Sequence, residues 1–199
     1  MTAALAALVC AALSWEQAFP APRRSPALHV QARVIDEKGA VHRVELWRSG
    51  DRLRRRTDGG AALLATRGGD GELRFVLLDE ARRLRVTVAR SNLLRLGLIP
   101  EWSSLSSLLL RPPGEIQVEP ARRKDLRTPH GRCRWLRAGG REVCWSGALG
   151  LALRIEQAGH ATLEVDAVER RVDPALLEAP VAGWSEIDAD ADLDPSQND

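Results

Sequence analysis

The chain has 199 residues, of which 44% are hydrophobic, a length and composition typical of one globular domain with tails. Its formal net charge is only +2, so charge alone gives no support for nucleic-acid binding. Aromatic residues make up 4% of the chain and include no tyrosine, so tryptophans provide most of the large aromatic surface.

The N-terminus resembles a secretory signal sequence. Residues 2–14 are rich in Ala, Leu and Val and give way to a polar stretch, with a cleavage site expected at 12–14. The apolar run is too short to span a membrane, and no Lys or Arg precedes it. We interpret residues 1–14 as a signal peptide, which predicts export to the periplasm.

Two further features adjoin this leader. Cys10 is a candidate for lipid modification, but Val9 is bulky where such sites need a small residue, so no lipid anchor is expected there. Residues 15–27 contain the Pro-rich run FPAPRRSP and are predicted to form an extended linker ahead of the folded domain.

From residue 28 onward the chain reads as a series of short strands. Val30, Ala32 and Val34 alternate with polar residues, as in a half-buried strand, and Gly-containing turns separate similar segments farther along. The predicted strands are 28–36, 41–49, 52–57, 61–67, 72–78, 83–90, 115–119, 132–136, 142–146, 151–157 and 162–172. Because no βαβ pattern occurs, we expect a meandering antiparallel sheet that curls.

Residues 91–111 form a long apolar segment without strand-like alternation. Gly97 and Pro100 predict a break within it, and Trp102 and Leu105 begin a run with helical spacing after the break. We interpret the segment as two helices that cover the sheet. An ordinary pair of core-packing helices is the alternative.

The acidic C-terminus marks the end of the folded domain. Residues 186–199 hold six acidic and no basic residues, which favours a disordered tail at 183–199. The folded domain is therefore predicted to span residues 28–182.

Cys133 and Cys144 are expected to lie in one hairpin. A four-residue loop at 137–140 would place the two cysteines directly opposite each other, close enough for a disulfide, which an oxidising compartment would permit. Two buried free thiols are the alternative. The same register leaves Trp145 either on the outer face against an arginine or, through a bulge, in the interior.

No catalytic or metal-binding pattern is found in the sequence. Ser146 lies in CWSGALG, which lacks the Gly-x-Ser-x-Gly elbow, and the glycines at 68–71 lack the lysine of a phosphate loop. The acidic spacing at 188–192 imitates half of a calcium loop, but Leu193 occupies the position that needs glycine. The sequence therefore predicts no enzyme, no metal site and no cofactor.

The stretch at 131–180 carries a likeness to a known family. It contains GRCRWL, then REVCWSGALGLALRIE, then ATLEVDAVERRVDPALLEAP, and covers about a quarter of the chain. These motifs resemble the C-terminal half of LolA/LolB-like outer-membrane lipoprotein carriers and their uncharacterised relatives. Ala152 and Leu177 stand where that family often has Pro and usually has Phe.

The resemblance implies a mainly β fold with some α structure (α+β), in which a curved antiparallel sheet forms an unclosed half-barrel covered by a helical lid at 91–111. It also implies a hydrophobic cavity that holds lipid or lipoprotein acyl chains. The expected protein is a periplasmic carrier and monomer that uses no catalytic residue, has no nucleic-acid partner and meets other envelope proteins.

The expected cavity lining comes from strand faces and from the lid. The lining residues are Val44, Leu46, Phe75, Leu77, Val86, Val88, Leu94, Leu98, Trp102, Leu105, Leu153 and Val165. The alternative function is an envelope sensor or interaction module of the same fold, with a filled core and binding through the arginine-rich outer face.

Overall fold

The computed structural model describes residues 13–20, 25–88, 93 and 101–189, and in this part the protein is mostly β. The strands are β1 (Leu28–Ile35), β2 (Val41–Ser49), β3 (Arg52–Thr57), β4 (Ala62–Arg67), β5 (Leu73–Asp79), β6 (Leu84–Val88), β7 (Val118–Pro120), β8 (Leu126–Thr128), β9 (Gly131–Ala138), β10 (Arg141–Ser146), β11 (Leu151–Gln157), β12 (His160–Glu169) and β13 (Ser185–Asp188). Two short helices, α1 (Trp15–Ala18) and α2 (Trp102–Ser107), and a 3-10 turn (Pro174–Leu177) complete the described elements.

The strands form one unclosed sheet in the order β13-β6-β5-β4-β3-β2-β1-β12-β11-β10-β9-β7, with β8 also paired to β9. Most neighbours are consecutive in sequence and antiparallel, as the meander prediction requires. The exception that joins the two halves is β1 with β12, where Val30 lies opposite Val168 and Val34 opposite Leu163. The antiparallel, strand-rich part of the prediction is therefore confirmed.

The two faces of the sheet differ in chemistry. Leu28, Val30 and Ala32 of β1 are buried in the main apolar cluster, and we call the face that carries this cluster the inner face. On the opposite, outer face, His29 Nδ1 lies 3.6 Å from a carboxylate oxygen of Glu169, and Arg33 forms an ion pair with Glu164. The period of two in the sequence thus identifies the buried face of β1 correctly.

The sheet is bent toward its inner face. A single cavity of about 250 Å³ is bordered both by Arg67 at the end of β4 and by Trp145 of β10. These strands are six positions apart in the strand order, so a flat sheet would separate them by roughly 29 Å. Only a curved sheet brings both side chains to one small cavity.

Residues 13–19 pack into the core, which corrects the first part of the extended linker predicted at 15–27. Ser14 caps α1 by accepting a hydrogen bond from the Gln17 amide, while the Gln17 side chain accepts one from the Ser14 amide. Trp15 and Phe19 are both 7% exposed and belong to the main cluster. A Pro-rich composition is typical of extended linkers, but it does not prevent the neighbouring Trp15 and Phe19 from packing into the core.

The signal-peptide prediction falls mostly on residues outside the described part of the chain. Leu13, at its end, exchanges backbone hydrogen bonds of 2.9 and 3.0 Å with Val118. Cleavage after Ser14 would remove this bridge and the cap of α1.

The acidic C-terminus is ordered as far as residue 189, which corrects part of the predicted disordered tail at 183–199. Residues Ser185–Asp188 form β13, a parallel edge strand beside β6. An acidic segment can form this strand because its hydrogen bonds to β6 are made by the backbone. Glu186 also forms an ion pair with Arg85 on β6. Positions 190–199 lie outside the described residues.

Cys133 and Cys144 are disulfide-bonded, with their Cα atoms 5.3 Å apart. The predicted register is wrong, because the turn contains only Gly139 and Gly140, whose φ angles of 55° and 76° suit a tight two-residue hairpin. Cys144 therefore lies opposite Trp135, and the disulfide runs diagonally between the strands.

Replacing both Trp15 and Phe19 by Ala tests whether residues 13–19 are part of the fold. We expect the free energy of unfolding to fall by at least about 3 kcal/mol, because even one buried aromatic ring removed from a core costs this much. Urea denaturation measures the change, and Glu16→Ala on the same helix is the control with a small expected effect. An unchanged midpoint for the double variant would show that the segment is a linker after all.

The disulfide gives a second stability prediction. Replacing Cys133 and Cys144 together by Ser should lower the free energy of unfolding by about 3 kcal/mol, because a closed loop of this length restricts the unfolded chain. Adding a reductant to the unaltered protein should give a similar loss in denaturant titrations. A reductant effect that persists in the double variant would mean that the disulfide is not its cause.

Candidate functional site

The short helix α2 lies over the inner face of the sheet. Trp102 and Leu105 pack against the main apolar cluster, and Leu108 ends the helix in the left-handed region with a φ of 59°. The buried residues within the helix are serines, including Ser104 and Ser106. A helix that turned only its apolar side to the sheet would leave its serines exposed, so the burial of Ser104 and Ser106 departs from simple amphipathic spacing.

A two-helix lid over 91–111 is not supported by the described residues. In this range the structure describes a helix at Trp102–Ser107, and Leu93, the single described residue between 88 and 101, is also helical. The predicted break at Gly97 and Pro100 lies outside the described part of the chain. In the described part of the chain, the sheet is covered at this point by α2 and the residues that follow it.

A buried arginine connects this helix to the sheet. Arg48 on β2 is 1% exposed, and its guanidinium donates hydrogen bonds to the carbonyl oxygens of Ser106, Leu149 and Gly150. The Ser106 carbonyl is at the C-terminal end of α2, where the helix dipole is negative. Burial lowers the pKa of Arg48 to about 10, so the group still carries its charge at neutral pH.

The first cavity on the inner face is aromatic. It has a volume of about 250 Å³ and is bordered by α1, α2 and β10. The Phe19 ring meets Trp15 at 4.6 Å and Trp145 at 5.3 Å between centroids, and the Arg67 guanidinium lies 5.2 Å from the Trp102 centroid. Trp145 therefore faces the interior, which settles the choice that the sequence left open.

The second cavity is a larger cleft of about 970 Å³ at one end of the inner face. We call it the large cleft. Its walls are the β1–β2 hairpin, the β11–β12 hairpin and the chain that follows α2. The apolar side chains that line it are Val34, Ile35, Leu108, Leu110, Ile155 and Leu163. Leu110 is 64% exposed, an unusual position for a large apolar side chain.

Two arginines and two acidic residues share this cleft. Arg55 of β3 and Arg141 of β10 are partly buried, and this burial lowers the pKa of both guanidinium groups. Asp36 is held by its own turn, where the amides of Ala40 and Lys38 donate to its carboxylate and lower its pKa. Glu37 is exposed in the same turn.

The predicted lining residues are mostly core residues. Val44, Leu46, Phe75, Val88, Leu153 and Val165 are buried, Leu105 and Val86 are half-buried, and Leu77 is 37% exposed. Leu94 and Leu98 lie outside the described residues. Among the predicted residues that the structure describes, Trp102 borders the aromatic cavity, and none borders the large cleft.

The residues that do line the large cleft lie where sequence patterns are least informative. They come from strand ends, from two hairpins and from the chain after α2, so no single periodicity marks them. One signal was present for the interior arginines. Arg48 shares the face of Val44 and Leu46 by strict alternation along β2, and Arg55 shares the face of Leu53 on β3.

The outer face is charged, but its arginines are largely neutralised. Arg54 and Arg56 both pair with Glu80, and Arg56 also pairs with Glu45. Farther along the sheet, Arg123 pairs with Glu142 and Glu156, and its guanidinium lies 3.9 Å from the Trp135 centroid. This pairing leaves less free positive charge than the arginine clusters in the sequence indicate.

Comparison with known proteins does not name a family. No protein-family model and no curated protein matches the chain. A solved structure of an uncharacterized conserved protein from Thermus thermophilus is similar at 13% sequence identity and a TM-score of 0.49, covering 82% of this chain and 91% of that one. Likeness at this level carries no conclusion about function, and the resemblance to lipoprotein carriers stays a prediction.

The described residues contain neither a membrane-spanning helix nor a cluster of metal-binding side chains. No helix among them is long and apolar enough to cross a membrane. Within the same ranges, no group of three or more His, Cys, Asp or Glu side chains is placed to hold a metal ion.

The role of Arg48 can be tested by an uncharged side chain of similar length. Arg48→Met should lower the free energy of unfolding by at least about 2 kcal/mol, because buried carbonyls would lose their donor. Arg43→Met, on the same strand but exposed, is the matched control with little expected change. Equal denaturation midpoints for the two variants would contradict a structural role for the Arg48 hydrogen bonds.

Proposed function

We propose that the protein binds acyl chains on the inner face of its sheet and serves as a periplasmic carrier or binding protein for lipids or lipoproteins. The observation that carries this proposal is the large cleft of about 970 Å³ with its apolar walls. Its size lies within the range of about 300–1,000 Å³ that is typical of small-molecule sites. Each methylene group moved from water into such a site contributes about 0.8 kcal/mol.

The proposal includes the finer architecture of an unclosed half-barrel with a cover. The cover consists of α2 and the residues after it, through Leu110. It is held to the sheet by side-chain donors, since Arg48 bonds the Ser106 carbonyl and Arg141 donates to the Leu110 carbonyl at 3.0 Å. Breaking these bonds would release the cover without disturbing the strand ladder, which gives an acyl chain a route into the cleft.

Export to the periplasm is part of the same proposal. A disulfide between Cys133 and Cys144 persists in an oxidising compartment, and the apolar N-terminus resembles an export signal. Both observations agree with a lipid carrier that works outside the cytoplasm.

A specific observation also favours the alternative, an envelope sensor or interaction module that carries no lipid. The centre of the inner face is closely packed, with Leu46 and Leu151 fully buried and Phe75 1% exposed. In this alternative the cleft would be a surface feature only, and binding would occur through outer-face charges. The paired arginines of that face make it the weaker of the two functions.

Substitution at the mouth of the cleft tests the carrier proposal. Leu110→Glu should weaken the binding of glycerol monolaurate by about tenfold or more, because the change removes apolar contact area and adds a charge. Isothermal titration calorimetry measures the affinity. Val181→Glu is the matched control, since Val181 is 71% exposed and does not line the large cleft.

Native mass spectrometry of protein purified from an envelope fraction provides a second readout of the same proposal. Bound lipid should be present before delipidation and absent after it. Protein that carries no lipid and does not bind glycerol monolaurate would favour the interaction module.

A further inference from the structure

We propose that the large cleft takes a single-chain amphiphile with an anionic headgroup, and that Arg55 is the counter-ion of that headgroup. This inference rests on the acyl-binding function proposed above and assigns the chemical class of its ligand. Arg55 is a partly buried cation that the described part of the protein leaves without a partner.

Arg55 differs from the arginines on either side of it. Arg54 and Arg56 lie on the outer face and pair with Glu80. Arg55 lies on the inner face of β3, where its cross-strand neighbours are Leu46 and Leu63. Its side chain is partly buried and borders the large cleft.

No hydrogen bond or ion pair to Arg55 is found among residues 13–20, 25–88, 93 and 101–189. A cation placed among apolar side chains loses hydration, which is costly unless an acceptor replaces the lost water. Arg48, which is fully buried on the same face, has three carbonyl acceptors. An anion in the cleft would supply Arg55 with the hydrogen-bond acceptors that it lacks.

Arg141 provides a second cation at the same cleft. One of its amino groups donates to the Leu110 carbonyl, and none of the described acidic side chains forms an ion pair with it. A guanidinium group has five donors, so Arg141 can hold the cover and still bond a ligand oxygen. Of the two acidic residues in the cleft wall, Asp36 is already engaged by the amides of its own turn, and Glu37 is exposed.

The apolar walls of the cleft indicate that the ligand also has an apolar part. A small inorganic anion would satisfy Arg55 but would leave Val34, Ile35 and Leu110 facing an unfilled space. An acyl chain with a terminal carboxylate or phosphate satisfies both parts, because guanidinium groups bind these headgroups through paired hydrogen bonds. The structure thus favours an anionic amphiphile over a neutral lipid or a free anion.

Calorimetric titration of four probes tests this assignment: laurate, dodecyl phosphate, glycerol monolaurate and inorganic phosphate. The unaltered protein should bind laurate or dodecyl phosphate more tightly than glycerol monolaurate, and inorganic phosphate only weakly. Arg55→Gln should weaken the tighter anionic amphiphile by about tenfold to a hundredfold, as expected for a lost charge-assisted hydrogen bond. Glycerol monolaurate should bind the variant as it binds the unaltered protein.

The matched control is Arg74→Gln, an exposed arginine on β5. A second measurement uses the unaltered protein at low and high salt, where the affinity for the anionic amphiphile should fall more than that for glycerol monolaurate. This comparison stands even if Arg55→Gln does not fold.

The outcomes separate this inference from the function on which it rests. Equal affinity for laurate, dodecyl phosphate and glycerol monolaurate, unaffected by salt, would overturn the headgroup assignment while the carrier function stands. Tight binding of inorganic phosphate with no gain from an acyl chain would overturn both. A loss of anionic binding in Arg74→Gln equal to that in Arg55→Gln would show that surface charge, and not Arg55, is responsible.

Discussion

The position of the cover over the inner face depends on the hydrogen bonds of the buried Arg48 guanidinium. This group bonds carbonyls at the end of α2 and in the turn before β11, so one side chain connects β2, the helix and the far half of the sheet. A six-residue helix is too short to be stable by itself and must be held by tertiary contacts. Without these bonds, buried carbonyls would lack donors and the cover would have little to hold it in place.

The consequence of this arrangement is an interior filled in its middle and open at one end. Leu46, Phe75 and Leu151 close the centre, whereas the two hairpins and the chain after α2 stand apart and leave the large cleft. The curvature of the sheet produces both features, because it brings distant strands to one side without supplying side chains to fill every part of the space. Arg55 is one of the residues that line this opening.

The sequence predicted the strands and their faces better than it predicted the site. Alternation is a local property, so it placed Val30, Val44 and Leu153 on the buried face correctly. It could not show where the sheet curves or which buried residues touch one another, so residues expected to line a cavity proved to be core. The hairpin at Cys133 and Cys144 shows the same limit, since the pairing was predicted but the register depended on the conformations of Gly139 and Gly140.

Composition misled the prediction at both termini. At the N-terminus the proline run predicted a linker, but Trp15 and Phe19 pack into the core. At the C-terminus the acidic residues after Gly183 predicted disorder, but an edge strand forms there through backbone hydrogen bonds. Both errors have one cause. Composition indicates whether a segment folds in isolation. It does not show that a curved sheet has space on its inner face for aromatic side chains and an unpaired edge that can bind another strand.

The central claim is that an acyl chain occupies the large cleft. It is tested most directly by methyl NMR of the protein with laurate, through intermolecular nuclear Overhauser effects between the chain and the protein. The account predicts contacts from the chain to the methyl groups of Ile155 and Leu163, and none to those of Val181 or Ile187, which are exposed elsewhere. Contacts confined to Val181 and Ile187, or no contacts at saturating laurate, would contradict it.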